Sequence, residues 1–467
     1  MSSGKESRYA LILAAGKGTR FRSDLPKVLH RLCGRPMIEY LLETLSATGI
    51  DRIFVVVGPG DDPVRQALQG RHLDFVVQER QLGTGHAVQC AVAALSGLEG
   101  SLLVLYGDTP FVEPQALERL IQEREELDAD QTLLTIELED PTGYGRIIRD
   151  QSGRVVEVIE EKEASPVQKR IREIHAGFNC FKIPALREAV FEIRNENQAG
   201  EYYLTDLPKI FAARGGRVEA VLHEPSMSLL GINDRVQLSE ADRILRRRIR
   251  DAWMSKGVTM INADTILIDS TVEIGADSVL YPGAILEGRT SIASACTIGP
   301  GCHLVDAIIE AGARLDGYCI VRDSRIGAGS FVGPFAHLRQ NAAVGERCRV
   351  GNFVEVKQSS LGDETKAAHL SYLGDARIGS EVNIGAGTIT CNYDGLRKHQ
   401  TQIGDGAFVG SGSQLVAPVR IGRDAYVAAG STITEDVPDG ALGLARQRQI
   451  VKPGWAAERR RKCQDEK

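Results

Sequence analysis

The sequence predicts two domains in series: an α/β domain on a mostly parallel sheet, then a parallel β-helix of six-residue repeats. Three observations carry this reading. Glycine is unevenly spread, with 21 in the first 256 residues and 28 in the last 211, so only the second half exceeds the ordinary ~7%. The first half alternates short apolar, β-rich runs with amphipathic ones. The second half places an aliphatic residue at every sixth position over long stretches.

In the first half the runs Ala10–Ala14, Met37–Leu45, Ile53–Val57, Pro63–Leu68, Phe75–Val77, Ala87–Leu95 and Leu102–Tyr106 alternate between strand-like and helix-like character. That is the pattern of βαβ units, whose parallel strands are covered on both faces. In the second half Ile268, Ile274, Leu280, Leu286, Ile292, Ile298 and Leu304 share one register. Ile326, Val332, Leu338, Val344, Val350 and Val356 form another, and Ile403, Val409, Leu415, Ile421, Val427 and Ile433 a third. One aliphatic side chain per short strand points to the axis, and small residues beside it permit tight corners. An ordinary β-sandwich would not keep so strict a register. Between the halves, Gln237 to Trp253 spaces Leu245, Ile249 and Trp253 four apart, which predicts an amphipathic helix. Its Arg246, Arg247, Arg248 and Arg250 read as a solvated face. The expected domains are residues 1–235 and 257–467, joined by a helix over 236–256 and ending in a tail.

The 467 residues include 56 basic and 62 acidic side chains, a formal charge of −6. This balance argues against nucleic acid as the main partner, since phosphate binders usually carry a basic excess. Hydrophobic content of 43% with 25% charged residues excludes wholesale disorder. The nine cysteines are odd in number and scattered, with no Cys-x-x-Cys pair. That favours reduced thiols in a cytoplasmic protein over a disulfide framework or a zinc site. The apolar stretch Tyr9–Ala15 is too short to span a bilayer and lacks a purely basic leader, so no targeting or membrane segment is expected.

That stretch runs into Gly16-Lys17-Gly18-Thr19-Arg20, with Pro26-Lys27 following. A P-loop would need glycine where Leu11 stands, and a dinucleotide fingerprint would need it at Phe21. The remaining pattern, Leu13-x-x-Gly-x-Gly-Thr-Arg with a downstream Pro-Lys, resembles the signature of sugar-nucleotide pyrophosphorylases. Glycines let backbone N–H groups approach a triphosphate, and Arg20 and Lys27 would offset charge developing at the α-phosphorus. Gln78-x-x-Gln81-Leu82-Gly83-Thr84-Gly85-His86 and Tyr106-Gly107-Asp108 resemble the uridyl-transferring members. Gln78 can donate to and accept from a uracil edge, and Gly83 lets the base lie against backbone. Asp108 follows an apolar strand, where open α/β sheets collect ligands, and could hold Mg²⁺ with triphosphate oxygens. Gly143-Tyr144-Gly145-Arg146, Glu160, Glu201 to Asp206 and Gly231-Ile232-Asn233 continue the match in order. The resemblance implies a Rossmann-like nucleotidyltransferase domain. It places Leu13, Ala14, Ala15, Gly16, Lys27, Gln78, Gly83, Thr84, Tyr106, Gly107, Asp108, Gly145, Glu160, His175 and Asn233 around UTP and the UDP-sugar. Asp108 and Asn233 are the implied metal ligands. One departure is specific to this chain: where the family pattern has Glu-Ile-Asn-Thr-Gly, it carries Glu173-Ile174-His175-Ala176-Gly177.

Two segments interrupt the six-residue registers, and both are expected as loops leaving the solenoid. One is Lys366 to Asp375 with His369 and Tyr372; the other is Cys391 to Lys398, containing Asn392-Tyr393-Asp394-Gly395. Acyl transfer to an ammonium needs a base, and histidine titrates in the right range. Arg339 and Lys357 upstream form a basic pair able to hold a sugar phosphate. From about Leu11 to Trp455 the chain resembles the family of bifunctional N-acetylglucosamine-1-phosphate uridyltransferases and glucosamine-1-phosphate acetyltransferases. The resemblance implies His369 as general base, with Arg339, Lys357, Tyr372 and Asn383 binding glucosamine 1-phosphate. It implies Ala386, Asn392, Tyr393, Ser411, Ala429 and Arg446 as the acetyl-CoA contacts. It also implies a homotrimer of left-handed β-helices, a hand that the usual crossover rule does not supply. The expected partners are small molecules alone (glucosamine 1-phosphate, acetyl-CoA, UTP and N-acetylglucosamine 1-phosphate), with neither nucleic acid nor membrane.

Rival readings stay open on the sequence alone. The β-helix could merely oligomerise or regulate a single-activity pyrophosphorylase. The same two-part architecture also serves non-enzymatic nucleotide-exchange subunits, although the intact glycine loop, Lys27 and Asp108 speak against that. The run Arg459 to Lys462 lacks interleaved aromatics and reads as a solvated tail.

Overall fold

The strand Arg8–Leu13 buries four consecutive residues, so both of its faces are covered. In this computed structural model, which describes residues 6–16, 18–60, 62–224, 229 and 231–465, it lies inside a mixed sheet. The sheet order is Val218–Leu222, Gln131–Glu137, Glu173–Lys182, Ser101–Tyr106, Arg8–Leu13, Arg52–Val57 and Asp74–Val77. Only Glu173–Lys182 runs antiparallel to both its neighbours in that order. Ile12, Leu103 and Leu105 face Ile38, Leu41 and Leu120 on one side. Leu11, Leu102 and Val104 face Ala87, Val88 and Leu186 on the other. Helices over Met37–Ala47, Thr84–Ala91 and Pro114–Glu126 supply those covers, as the apolar spacing requires. The strands Arg8–Leu13, Asp74–Val77 and Ser101–Tyr106 therefore end at one edge, with the glycine loop, Gln78 and Asp108 just beyond them.

Contacts divide the chain into Met1–Leu245 and Arg246–Lys467, with the helix Arg235–Ser255 running through the boundary. The second unit is a parallel β-helix. Leu267 pairs with Ile285 and Ile285 with His303, one turn of the chain every 18 residues, or three hexapeptides. Successive turns stack the aliphatic positions into columns: Ile268, Leu286, Leu304, Val321 and Leu338 in one, Ile274, Ile292, Ile309 and Ile326 in another. All of these are buried in a single core.

Two expectations need correction. Lys366–Gly374 is a strand, not a loop: it pairs with Arg349–Lys357, setting Asn352 against His369 and Glu355 against Tyr372. Ala367 and Leu373 hold the aliphatic positions, but alanine is a weak hydrophobic signal and buried Ser371 adds a polar interior residue. The Asn392–Gln400 segment does leave the ladder, and its ends close through a Tyr393–Lys398 bridge. The second correction concerns the helix arginines. Arg250 is buried, donating to Asp264 at 2.8 Å, and Arg246 lies 3.9 Å from Asp269. Their stems cover the first turn of the β-helix, while Arg247 stays solvated. Among the described residues no helix is long and apolar enough to cross a membrane.

Candidate active sites

At the carboxyl edge of the sheet a cavity of about 510 Å³ is lined by Leu13, Ala14, Ala15, Gly16, Gln78, Gly83 and Thr84. A second, of about 520 Å³, is lined by Gly145, Glu160, His175 and Ala176. Arg20, Lys27, Thr84, Tyr106, Asp108 and Asn233 line both, so the cations and the oxygen ligands stand at the seam. Lys17 of the glycine loop lies outside the described residues. Gly107 lines neither cavity; a Cβ there would fall 2.9 Å from Val28 Cγ1, so its role is packing.

The seam is organised around one ammonium. Lys27 Nζ forms an ion pair with Asp108 Oδ2 and donates to Asn233 Oδ1 at 3.0 Å, and Arg20 Nη2 donates to the same Oδ1 at 3.0 Å. Asn233 is held in turn, its N–H donating to Gln237 Oε1 and its Nδ2 to Gly231 O. A carboxylate and a carboxamide oxygen thus converge on a cation, which is the hard-oxygen donor set a magnesium ion uses. The residues fit the metal.

At the base end, Gln78 Nε2 donates to Gly83 O at 3.1 Å and lies 3.0 Å from His86 Nδ1. Gln81 donates to Ala15 O, and its Oε1 is buried with no hydrogen-bond partner among the described residues. Gly83 has φ 112°, and a Cβ there would come within 2.6 Å of Tyr202 O. The glycine is therefore demanded by the chain crossing behind it. Thr84 Oγ1 accepts from Leu204 N at 3.1 Å, which ties the Glu201–Asp206 motif to this wall.

At the sugar end, Glu160 accepts from Thr205 Oγ1 at 2.8 Å, and burial raises its carboxyl above the ordinary range. His175 donates its backbone N–H to Gly145 O at 2.9 Å, next to a bulge between His175 and Asn179. Burial lowers its imidazole to about 4, and Nε2 has no hydrogen-bond partner among the described residues. The ring is neutral at ordinary pH.

In the β-helix, residues two beyond the paired Ala367, Ile384, Val409 and Val427 form a corner column: His369, Ala386, Ser411 and Ala429. The turns approach so closely that a Cβ on Gly351 would fall 1.8 Å from Ala368 O, and one on Gly385 2.5 Å from Ser411 N. Arg446 Nη1 closes the column on Ala429 O at 2.8 Å. His369 is exposed, and its Nδ1 lies 3.1 Å from Asn352 Oδ1. Since that oxygen only accepts, Nδ1 carries the hydrogen, and in the neutral ring Nε2 is the nitrogen that bears the lone pair.

On the adjoining face Arg339 stands against Lys357 and Glu355 against Tyr372. Arg339 pairs with Glu355 at 2.7 Å and buried Lys357 with Asp375 at 3.3 Å. Arg322, His337, Arg339 and Glu355 border a cavity of about 530 Å³. Asn392 donates to Asp375 and Tyr372, so it stands with this group and not with the corner column. Asn383 lies opposite Lys366, and the exposed Tyr393 donates to Gly395 O. Lys398 was not singled out by the sequence. Its ammonium lies against that of Lys357, which pulls Lys398 below an ordinary lysine. Asn352, Glu355 and Asp375 were missed as well, although each lies 17 or 18 residues from a predicted partner, the length of one turn.

Comparison with known proteins agrees with both halves. Residues 10–169 match the MobA-like NTP transferase domain, 262–360 the GMPPB C-terminal domain, and 400–435 the bacterial transferase hexapeptide family. The bifunctional protein GlmU of Caldanaerobacter subterraneus is 47% identical over 98% of this chain and 99% of its own length. That of Synechococcus elongatus is 48% identical over 95% and 98%, and that of Shouchella clausii 46% over 96% and 98%. The chain belongs to the GlmU family. It is a bifunctional transferase of UDP-N-acetylglucosamine synthesis, a uridyltransferase in its first half and an acetyltransferase in its second. The GlmU match extends over both halves, which sets aside the single-activity alternative. The hexapeptide unit is a left-handed parallel β-helix.

Proposed function

We propose that the corner column acetylates glucosamine 1-phosphate and that the sheet-edge cavities then join the product to the uridylyl group of UTP. The observation that carries the second step is the convergence of Asp108, Asn233, Lys27 and Arg20 at the seam of two cavities. Leu13 to Gly16, Gln78 and Gly83 enclose the nucleotide, and Gly145, Glu160 and His175 enclose the sugar. A phosphate oxygen of N-acetylglucosamine 1-phosphate attacks the α-phosphorus of UTP and pyrophosphate leaves. Arg20 and Lys27 offset the charge as it develops. Asp108 and Asn233 would hold a magnesium ion, which would supply Lewis-acid charge neutralisation there. Lys27, which now holds both oxygens, would turn to the phosphates when nucleotide and metal arrive.

In the acetyl site, Asn352 keeps His369 Nε2 free to take a proton from the substrate ammonium. The freed amine attacks the thioester carbonyl of acetyl-CoA, and CoA leaves as the thiol. Arg339 and Lys357 hold the sugar phosphate, with Lys398 beside them, and Tyr372 and Asn383 border the sugar. Ala386, Ser411, Ala429 and Arg446 offer a corner of small residues and one cation to acetyl-CoA, and Asn392 and Tyr393 approach from the inserted loop. A homotrimer is supported by a ridge of exposed, stacked Tyr318, Phe335 and Phe353, with ring centroids 5.3 Å apart, which a second copy would cover. Nine free cysteines suit a reducing cytoplasm. Incubation with glucosamine 1-phosphate, acetyl-CoA, UTP and Mg²⁺, omitting each in turn, tests the order. UDP-glucosamine formed without acetyl-CoA, and converted to UDP-N-acetylglucosamine when acetyl-CoA is added, would overturn it.

A further inference from the structure

The Gln78 carboxamide is the proposed contact of the nucleotide base, and the role assigned here to its neighbour His86 rests on that reading. The Gln78 side-chain nitrogen makes two contacts, Gly83 O at 3.1 Å and His86 Nδ1 at 3.0 Å. A backbone carbonyl can only accept, so the atom facing Gly83 O is the nitrogen and not the oxygen. Its second N–H then goes to Nδ1, which accepts only when the ring is neutral and carries its hydrogen on Nε2. Burial, with Arg80 nearby, holds His86 below the usual imidazole range, and Cys90 Sγ lies 3.9 Å from each ring nitrogen. Both donors of Gln78 are thereby consumed on the protein side. Gln78 lines the cavity and His86 does not.

We infer that His86 is a positioning residue for base selection: by taking one N–H of Gln78 it turns the carboxamide so that only Oε1 meets the ligand. An acceptor at that place suits a base edge bearing an N–H, such as N3–H of uracil. The N3 lone pair of cytosine would face the Oε1 lone pairs, with no donor between them. Without an acceptor at position 86, one buried N–H of Gln78 loses its partner and the amide can rotate to offer that N–H to cytosine.

The test measures kcat/KM for UTP and for CTP in the full-length enzyme. His86→Phe should lower the UTP-to-CTP preference by about tenfold and raise KM for UTP, leaving KM for N-acetylglucosamine 1-phosphate and the acetyl-transfer rate unchanged. His86→Asn, whose amide oxygen can stand near the place of Nδ1, should restore the preference. His86→Leu repeats the first variant with a smaller side chain, and far-UV circular dichroism with an unchanged KM for N-acetylglucosamine 1-phosphate reports the folded state of the domain that carries position 86. An unchanged preference in both His86→Phe and His86→Leu, together with its loss in Gln78→Ala, would overturn the role of His86 alone. An unchanged preference in Gln78→Ala would overturn the base-contact reading, and the inference with it.

Discussion

Asn352 Oδ1 accepts from His369 Nδ1 at 3.1 Å, across two strands paired residue for residue. The pairing holds the exposed imidazole in the tautomer a base requires. Positioned general bases contribute roughly 10²–10⁴-fold, so His369→Ala should lower acetyl-transfer turnover within that range and leave uridyl transfer untouched. Higher pH should partly rescue it by supplying free amine. Near-normal acetylation at neutral pH would rule His369 out.

Asn352→Ala should reduce acetyl turnover by less, about tenfold, because it frees the ring without removing it. The double variant with His369→Ala should be no slower than His369→Ala alone. Additive losses in that cycle would mean Asn352 acts independently of the imidazole.

Lys27→Ala removes the ammonium shared by Asp108 and Asn233. Pyrophosphate release should fall by at least about a hundredfold, with acetyl transfer preserved. Loss of both activities in a folded protein would contradict two independent sites.

His175→Asn exchanges a neutral ring for a planar amide with both a donor and an acceptor. KM for N-acetylglucosamine 1-phosphate should change while KM for UTP holds. Unchanged sugar kinetics would remove His175 from the sugar wall.

The same residue sets a pH dependence. Its folded pKa of about 4 lies below the ordinary 6.5, so the unfolded chain binds the proton first. Stability from this group is full above pH 6.5 and declines as pH falls toward 4, by about 3 kcal/mol in all. Denaturant melts of His175→Asn should lose that slope. An unaltered slope would place the acid sensitivity elsewhere.

The columns of the β-helix were legible because every aliphatic residue recurs at a fixed phase, and the sheet edge because Gly16, Asp108 and Asn233 sit in recognisable spacings. Lys366–Gly374 was illegible as a strand because Ala367 and Ser371 mute the period that marks its neighbours. Arg250 was misplaced because a guanidinium looks solvated in sequence, and only the fold brings Asp264 under it. Gly83 has a second reason to be glycine that the motif did not show: the backbone of Tyr202, distant in sequence, leaves no room for a side chain. Lys398 and Asp375 carry no motif of their own and acquire a role through Lys357.

The corner that carries His369, Ala386, Ser411 and Ala429 is graduated like a ruler. Its marks are successive hydrogen-bonded strands, so each step is roughly 4.8 Å and the four span about 14 Å. Length along this edge is counted in whole turns and cannot be adjusted continuously. Excising one turn would leave every remaining ladder intact and yet shorten the reach from the imidazole to Arg446 by one division. A cosubstrate as long as acetyl-CoA would then be measured against the wrong mark, and the enzyme would fail by misalignment while remaining well folded.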